Sequence, residues 1–360
     1  VSATVAEALT TISSPEHHVA RWATSWPWRG QALWPSEQGE LRGEPDGNRA
    51  LVLTAPVVSH EGQPWRVSIK GVGARFPMFH EGPRVRPARA LSAEAWFGES
   101  PWGTQGEAPA RAALLVSEEA GGTDLAGMPI CPVAQIVRLP DDLVATAAPA
   151  TFRRYRGGWW QEQRLVPSTV RLFQHSEAVL EDGVERALAT LGVVDELALD
   201  AFVDRLIATG LAALTLPART AVDGPDGVTA YAWSHVWLDK DAVLAPDGAL
   251  CFADLEGLER VPVAGPAALA ARAQRHLDEH VYEWLYAVDR LLDVVWRRRG
   301  HAPGPADKAA DLALRVELAL AADPFAAVER GGAQVVLWVT PPAFPDHPVR
   351  FDLLSPAVSA

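Results

Sequence analysis

Near Pro140 the chain changes its hydrophobic period, and that change restricts the folds open to it more than any single motif does. Before it, apolar and polar residues alternate, as in WRVSIKG, where Trp65, Val67 and Ile69 are separated by Arg66, Ser68 and Lys70. Alternation of this kind marks a strand with one buried face. From about Val170, apolar residues instead recur at helical spacing through VERALATL, LDAFVDRLIATGLAALTL and a long run from roughly 266 to 299. A β-rich first part and a mainly helical second part predict an α+β fold of two lobes, residues 1–139 and 140–360.

Finer features fill in the two parts. ALVLTAPVVSHEGQPWRVSIKG reads as two strands joined by a His-Glu-Gly turn, and RPARALSAEAWFGE as a helix starting at Pro87 and carrying Ala90, Leu91, Glu94, Ala95 and Trp96. ARAALLVSEE and MPICPVAQIVRLP read as further strands, so residues 50–139 run strand, strand, helix, strand, strand. Residues 141–164 read as a polar and aromatic connection, in which Arg153, Arg154 and Arg156 beside Trp159 and Trp160 read as a solvated loop packed by its tryptophans, with a phosphate or peptide site as the alternative. In the second part SHVWL and LCFADLEG are short β-like pieces separated by the turn Pro246-Asp247-Gly248. A helix near 305–321 and the strand AQVVLWV follow, and the Arg297–Arg299 run suits a helix C-terminus. The first 50 residues, with Trp22, Trp26, Trp28 and Trp34, read as an irregular segment pinned by aromatics.

Charge and cysteine usage narrow the partners. A formal charge of −13 over 360 residues argues against general nucleic-acid binding, which needs a basic face, so an anionic ligand must be met locally. Cys131 and Cys251 are too few for a disulfide framework, and no apolar run approaches a membrane span. No charged-then-apolar leader opens the sequence, and a soluble cytoplasmic protein is expected.

Of the 32 cationic residues only Lys70, Lys240 and Lys308 are lysines, which makes a lysine at a strand end worth explaining. Lysine brings a compact point charge where arginine brings a planar fork. A carboxylate on the next helix, Glu94, could hold Lys70 against a nucleotide phosphate as kinases do. In the second part HVWLDKDAVLAPDGALCFADLEG places Asp241 thirteen residues before Asp254, the separation found in many kinases between the metal ligand of the catalytic loop and the metal-binding aspartate that follows. Two carboxylates joined by so short a hairpin repel unless a divalent cation neutralises them, and Mg²⁺ prefers such hard oxygen ligands.

KGVGARF, then arginines at 84, 86 and 89, then ALSAEA, resembles the selenoprotein O family of kinase-like proteins, as does PDGNRALVLTAPVV with the hairpin after it. The resemblance covers roughly residues 40–138 and, more loosely, 231–257. It implies a kinase fold that binds ATP in a flipped orientation and transfers AMP to protein hydroxyls with Mg²⁺ or Mn²⁺. Lys70 and Glu94 would then hold the triphosphate, Gly71 and Gly73 would admit it to the backbone, and Arg75 with Arg84 or Arg86 would contact it. Asp254 would bind the metal with Asp241, and Glu256 stands as a further ligand. The family's Asp-Asn pair reads Asp241-Ala242 here, so Asp241 serves either as metal ligand or as base, with Asp239 and His235 as candidates for the other role.

The leading expectation is therefore an ATP-dependent transferase acting on a protein or small-molecule hydroxyl. Two alternatives accompany it. One is a pseudokinase that senses nucleotide or binds protein. The other is a small-molecule phosphotransferase with Asp239, Glu256 and Glu259 lining its pocket.

Overall fold

The computed structural model describes residues 20–22, 43–46, 50–60, 63–70, 106–139, 159–172, 183–234, 238–331 and 334–354. Over these residues the chain is mixed α+β, as expected, and its paired strands are antiparallel. It divides into two compact units, Val1–Thr123 with Cys131–Thr169, and Asp124–Ile130 with Val170–Ala360.

The first unit opens with strands β1 (Ala20–Trp22), β2 (Gly43–Asp46), β3 (Ala50–His60) and β4 (Gln63–Lys70). Helix α1 (Glu107–Ala120) follows, then a minimal hairpin of β5 (Asp124–Leu125) and β6 (Met128–Pro129) that belongs to the second unit, then β7 (Val133–Leu139) and β8 (Trp159–Val166). In space the strands form one six-stranded sheet, ordered β1-β7-β8-β4-β3-β2, and α1 packs on β7 and β8. The expected hairpin of residues 50–70 is present, with a register irregularity between Val52 and Val57.

Three expectations change here. Within the first 50 residues, read as an irregular segment, Ala20–Trp22 and Gly43–Asp46 are strands of the sheet. ARAALLVSEE is not a strand but most of α1. Its buried residues Ala110, Ala113, Leu114 and Ser117 fall at helical spacing, its alanines favour helix, and Gly121 closes it in the left-handed conformation at φ 70°, donating its N–H to the Ser117 carbonyl. The residues taken as the end of a connection, from Trp159 on, form β8, a central strand paired on both edges. The helix expected around Glu94 lies outside the described residues.

The second unit is organised by three long helices. Preceded by α2 (Gly183–Thr190), α3 (Glu196–Leu214) starts at Asp195, whose carboxylate accepts from the Ala198 N–H at 2.7 Å, and it is apolar over most of its surface. A short α4 (Leu216–Arg219) leads into β9 (Val222–Gly224) and β10 (Gly227–Trp233). Helical turn α5 (Leu238–Asp241) runs straight into the hairpin of β11 (Ala242–Leu244) and β12 (Leu250–Phe252), followed by β13 (Leu258–Pro262). SHVWL thus contributes no strand beyond β10 among its described residues; its Leu238 begins a helical turn.

The amphipathic α6 (Pro266–Arg298) and α7 (Pro305–Leu320) then pack on α3, close to the limits their periodicity predicts. Gly210 of α3 lets α6 approach, since a Cβ there would lie 2.2 Å from Trp284 Nε1 of that helix. Arg315 of α7 ties the group together by donating to Asp200 and Asp204 of α3 and to Asp311 of its own helix, at 2.6, 2.6 and 2.9 Å. A three-stranded sheet of β14 (Ala326–Gly331), β15 (Gln334–Val339) and β16 (Val349–Leu354) ends the described chain. Among the described residues no helix is long and apolar enough to cross a membrane.

Candidate functional site

Lys70 ends β4 and is buried, with 4 % of its surface exposed. Its cross-strand partner on β8 is Glu162, and Ser68 stands opposite Arg164 in the same way. Opposed residues of an antiparallel pair share a face, and residues two apart on one strand share it too, so Ser68, Lys70, Glu162 and Arg164 line one side of the sheet. Arg164 Nη1 lies 3.7 Å from Glu162 Oε1. Glu162 is fully buried and Arg164 is 3 % exposed. Trp160, on that same side of β8, carries the Arg111 guanidinium of α1 over its ring at 5.6 Å, which puts the helix on this face.

Charges buried this deeply persist only when paired or when a ligand meets them. The set holds two cations against one carboxylate, together with the Ser68 hydroxyl, which is buried and has no hydrogen-bond partner among the described residues. That composition suits an anion. On the opposite side of the sheet the polar row continues differently, as the buried amides of Gln135 and Gln163 bond each other.

The second unit brings the other candidate residues together. Asp241 is the last residue of α5, and its backbone carbonyl accepts the Ala253 N–H at 2.8 Å, so Ala253, the residue before Asp254, stands opposite Asp241 at the open end of the β11–β12 hairpin. Asp241 is buried, whereas Asp254 and Glu256 are half-buried. The chain turns through a single 3₁₀ turn, Leu255–Gly257, in which the Gly257 N–H donates to the Asp254 carbonyl at 3.0 Å.

This hairpin is gripped from several sides. Leu250 N–H donates to Thr209 Oγ1 of α3 at 3.0 Å, Glu283 Oε2 of α6 accepts from the Leu238 N–H at 2.7 Å, and the Ser234 N–H donates to the Gly257 carbonyl at 2.9 Å. Phe252 stacks on Trp233 with centroids 5.1 Å apart, and Trp233 in turn meets His276 and His280, one turn apart on α6, at 4.4 and 4.5 Å. His276 donates from Nε2 to the Ala213 carbonyl at 3.0 Å. Burial pushes His276 down to about 3, helped by the nearby His280, and pushes His280 down to about 4, so both rings are neutral at pH 7.

Carboxylate oxygens at the base of a hairpin are the donor type that Mg²⁺ takes, and such an ion shares its remaining positions with water and phosphate. Asp241, Asp254 and Glu256 fit that chemistry by donor type. Among the described residues no three or more His, Cys, Asp or Glu side chains gather into a group that could hold a metal ion.

Of the other expected site residues, Gly71, Gly73, Arg75, Arg84, Arg86, Glu94 and His235 lie outside the described residues, and Asp239 falls within α5. Glu162, Arg164 and Ser68 were not foreseen. The signal that could have found them is the two-residue spacing of Glu162 and Arg164, which matches that of Ser68 and Lys70 and would put all four on one face if WWQEQRLV were read as a strand. A scan against protein-family models found none that matches this chain, and a search of curated proteins found no match.

Proposed function

We propose that the protein is an ATP-dependent transferase with a two-lobed kinase-like fold, moving AMP or a phosphoryl group from Mg-ATP to a hydroxyl acceptor on a protein or a small molecule. The observation that carries this reading is the burial of Lys70 at a strand end, on the same side of the sheet as Arg164 and Ser68. A lysine serving only solubility would leave its ammonium in water. Supporting it, a helix intervenes between the lysine strand and the two strands that pair beside it, as a nucleotide-binding kinase lobe requires. In the other unit, Asp241 and Asp254 flank the β11–β12 hairpin, with the residue before Asp254 bonded to the Asp241 carbonyl.

In this reading Lys70 and Arg164 hold the phosphates and oppose the charge that grows on the leaving phosphate oxygens. Asp241, Asp254 and Glu256 would hold Mg²⁺, which supplies charge neutralisation. Asp239, Asp241 or His235 would accept the acceptor's hydroxyl proton.

One observation favours the pseudokinase as a second reading. Ala242, where the resembled family has a metal-binding Asn, is a buried strand residue opposite Phe252 and offers no donor.

Incubating the full chain with α-labelled and γ-labelled ATP in parallel, with Mg²⁺ or Mn²⁺, tests the proposal. Label on protein from the α position supports AMP transfer, and label from the γ position supports phosphoryl transfer. Asp254→Asn should remove most of either signal and most of the metal-dependent thermal stabilisation by ATP. No label, with thermal stabilisation by ATP intact, would favour the pseudokinase; no stabilisation and no label would refute nucleotide binding.

A further inference from the structure

We infer that Glu162, on the strand beside Lys70, is the carboxylate that positions Lys70, and that Lys70, Glu162 and Arg164 work as one preorganised polyphosphate-binding unit. This rests on the nucleotide-binding reading above and assigns a role that sequence reasoning gave to a helix residue.

Glu162 is the only acidic residue in β4, β7 and β8, the three strands that make up this part of the sheet. It stands directly opposite Lys70, where antiparallel geometry holds the two Cβ atoms about 4.5–5.5 Å apart. Its Oε1 lies 3.7 Å from Arg164 Nη1 of the same strand, so the carboxylate stands between that cation and the position opposite Lys70. Burial sharpens the point: with Lys70 at 4 %, Arg164 at 3 % and Glu162 at 0 % exposure, water does little to screen these charges. Without Glu162 the two cations would repel and turn apart. With it they are held on one face beside the Ser68 hydroxyl. Because both strands belong to one hydrogen-bonded ladder, the lysine's orientation does not depend on a helix moving into place.

Among the described residues of α1 the competing carboxylate is Glu118, half-buried on the helix that covers β7 and β8. Glu107 is engaged by Arg111, and Glu119 is exposed.

The sign of one substitution separates positioning from mere proximity. A carboxylate that simply sits near a bound anion weakens binding, so its removal tightens the complex; a carboxylate that aims the cations does the opposite. The probes are ATP and inorganic tripolyphosphate, titrated calorimetrically into the full chain. Glu162→Gln should bind both about tenfold more weakly than wild type, Glu162→Asp should recover part of the loss, and Glu118→Gln should stay within roughly threefold. Adding Glu162→Gln to Lys70→Met should cost no more than Lys70→Met alone, since the two act through one group.

Unchanged or tighter binding by Glu162→Gln overturns the proposal, and so does a tenfold loss confined to Glu118→Gln. If Glu162→Gln does not fold, Glu162→Asp decides: weakening supports positioning and wild-type affinity overturns it. A wild-type chain that binds neither probe removes the nucleotide-binding reading itself, and this inference falls with it.

Discussion

Acidification should loosen the second unit well before its carboxylates are titrated, because His276 and His280 are neutral and buried in the fold. Each keeps its ordinary affinity for a proton only when the chain unfolds. Between the ordinary value of 6.5 and the depressed values of about 3 and about 4, the unfolded chain therefore binds more protons, and falling pH draws the equilibrium toward it. Stability is complete above pH 6.5 and is lost progressively as the pH falls toward the folded-state values.

For His276, going from pH 7 to pH 5 protonates the unfolded state by about 1.4 logarithmic units more, or about 2 kcal/mol at 1.36 kcal/mol per unit. His280, depressed less, to about 4, adds a slightly smaller amount. The pair together should cost roughly 2–4 kcal/mol over that interval. Urea unfolding of wild type and of His276→Leu/His280→Leu, followed by tryptophan fluorescence at pH 7, 6 and 5, measures the difference in slope. The variant should be weaker at pH 7, having lost the bond to the Ala213 carbonyl, yet lose less on acidification; carboxylate effects common to both chains cancel. Equal slopes in the two chains would refute the neutral, buried cluster. The readout matters for function because Trp233 and Phe252 connect these rings to the hairpin that ends in Asp254.

Two further substitutions probe the frame that positions the site. Gly248→Ala should cost about 2–4 kcal/mol in urea midpoint measurements. The glycine sits at φ +93° at the hairpin tip, and a Cβ there would lie 2.2 Å from the Phe202 carbonyl; a change under about 0.5 kcal/mol would show that the tip does not seat on α3. Arg219→Leu should cost about 3–5 kcal/mol, because it strands the Asp323 carboxylate that the buried guanidinium engages. The two Arg219–Asp323 bonds are 3.2 and 2.6 Å long, and Arg219→Leu/Asp323→Leu should recover part of the loss, whereas an undiminished loss would place the cost in packing alone.

Where the chain's own periodicity decides the outcome, sequence alone was sufficient. The β3–β4 hairpin, α3, α6, α7 and β15 follow from two-residue or helical repeats, since each buries one face or stripe and that face is written in the order of its residues. Lys70 at a strand end and the joining of Asp241 to Asp254 by a short hairpin are local facts of the same kind.

Tertiary structure alone decided β8. Gln161, Glu162, Gln163 and Arg164 form an unbroken polar run that reads as loop, yet all four are buried, because β4 and β7 satisfy the backbone on both edges, Gln163 meets Gln135 of β7 and Arg164 lies beside Glu162 of its own strand. ARAALLVSEE was legible all the same: its alanines, leucines and glutamates favour helix and Ala110, Ala113 and Leu114 recur at helical spacing, a signal that the strand reading passed over. The carboxylate opposite Lys70 was hidden as β8 was. Its nearness depends on strand register between segments 92 residues apart in the chain, counting from 70 to 162, and the pattern within each strand gives the face but not which strand pairs with which.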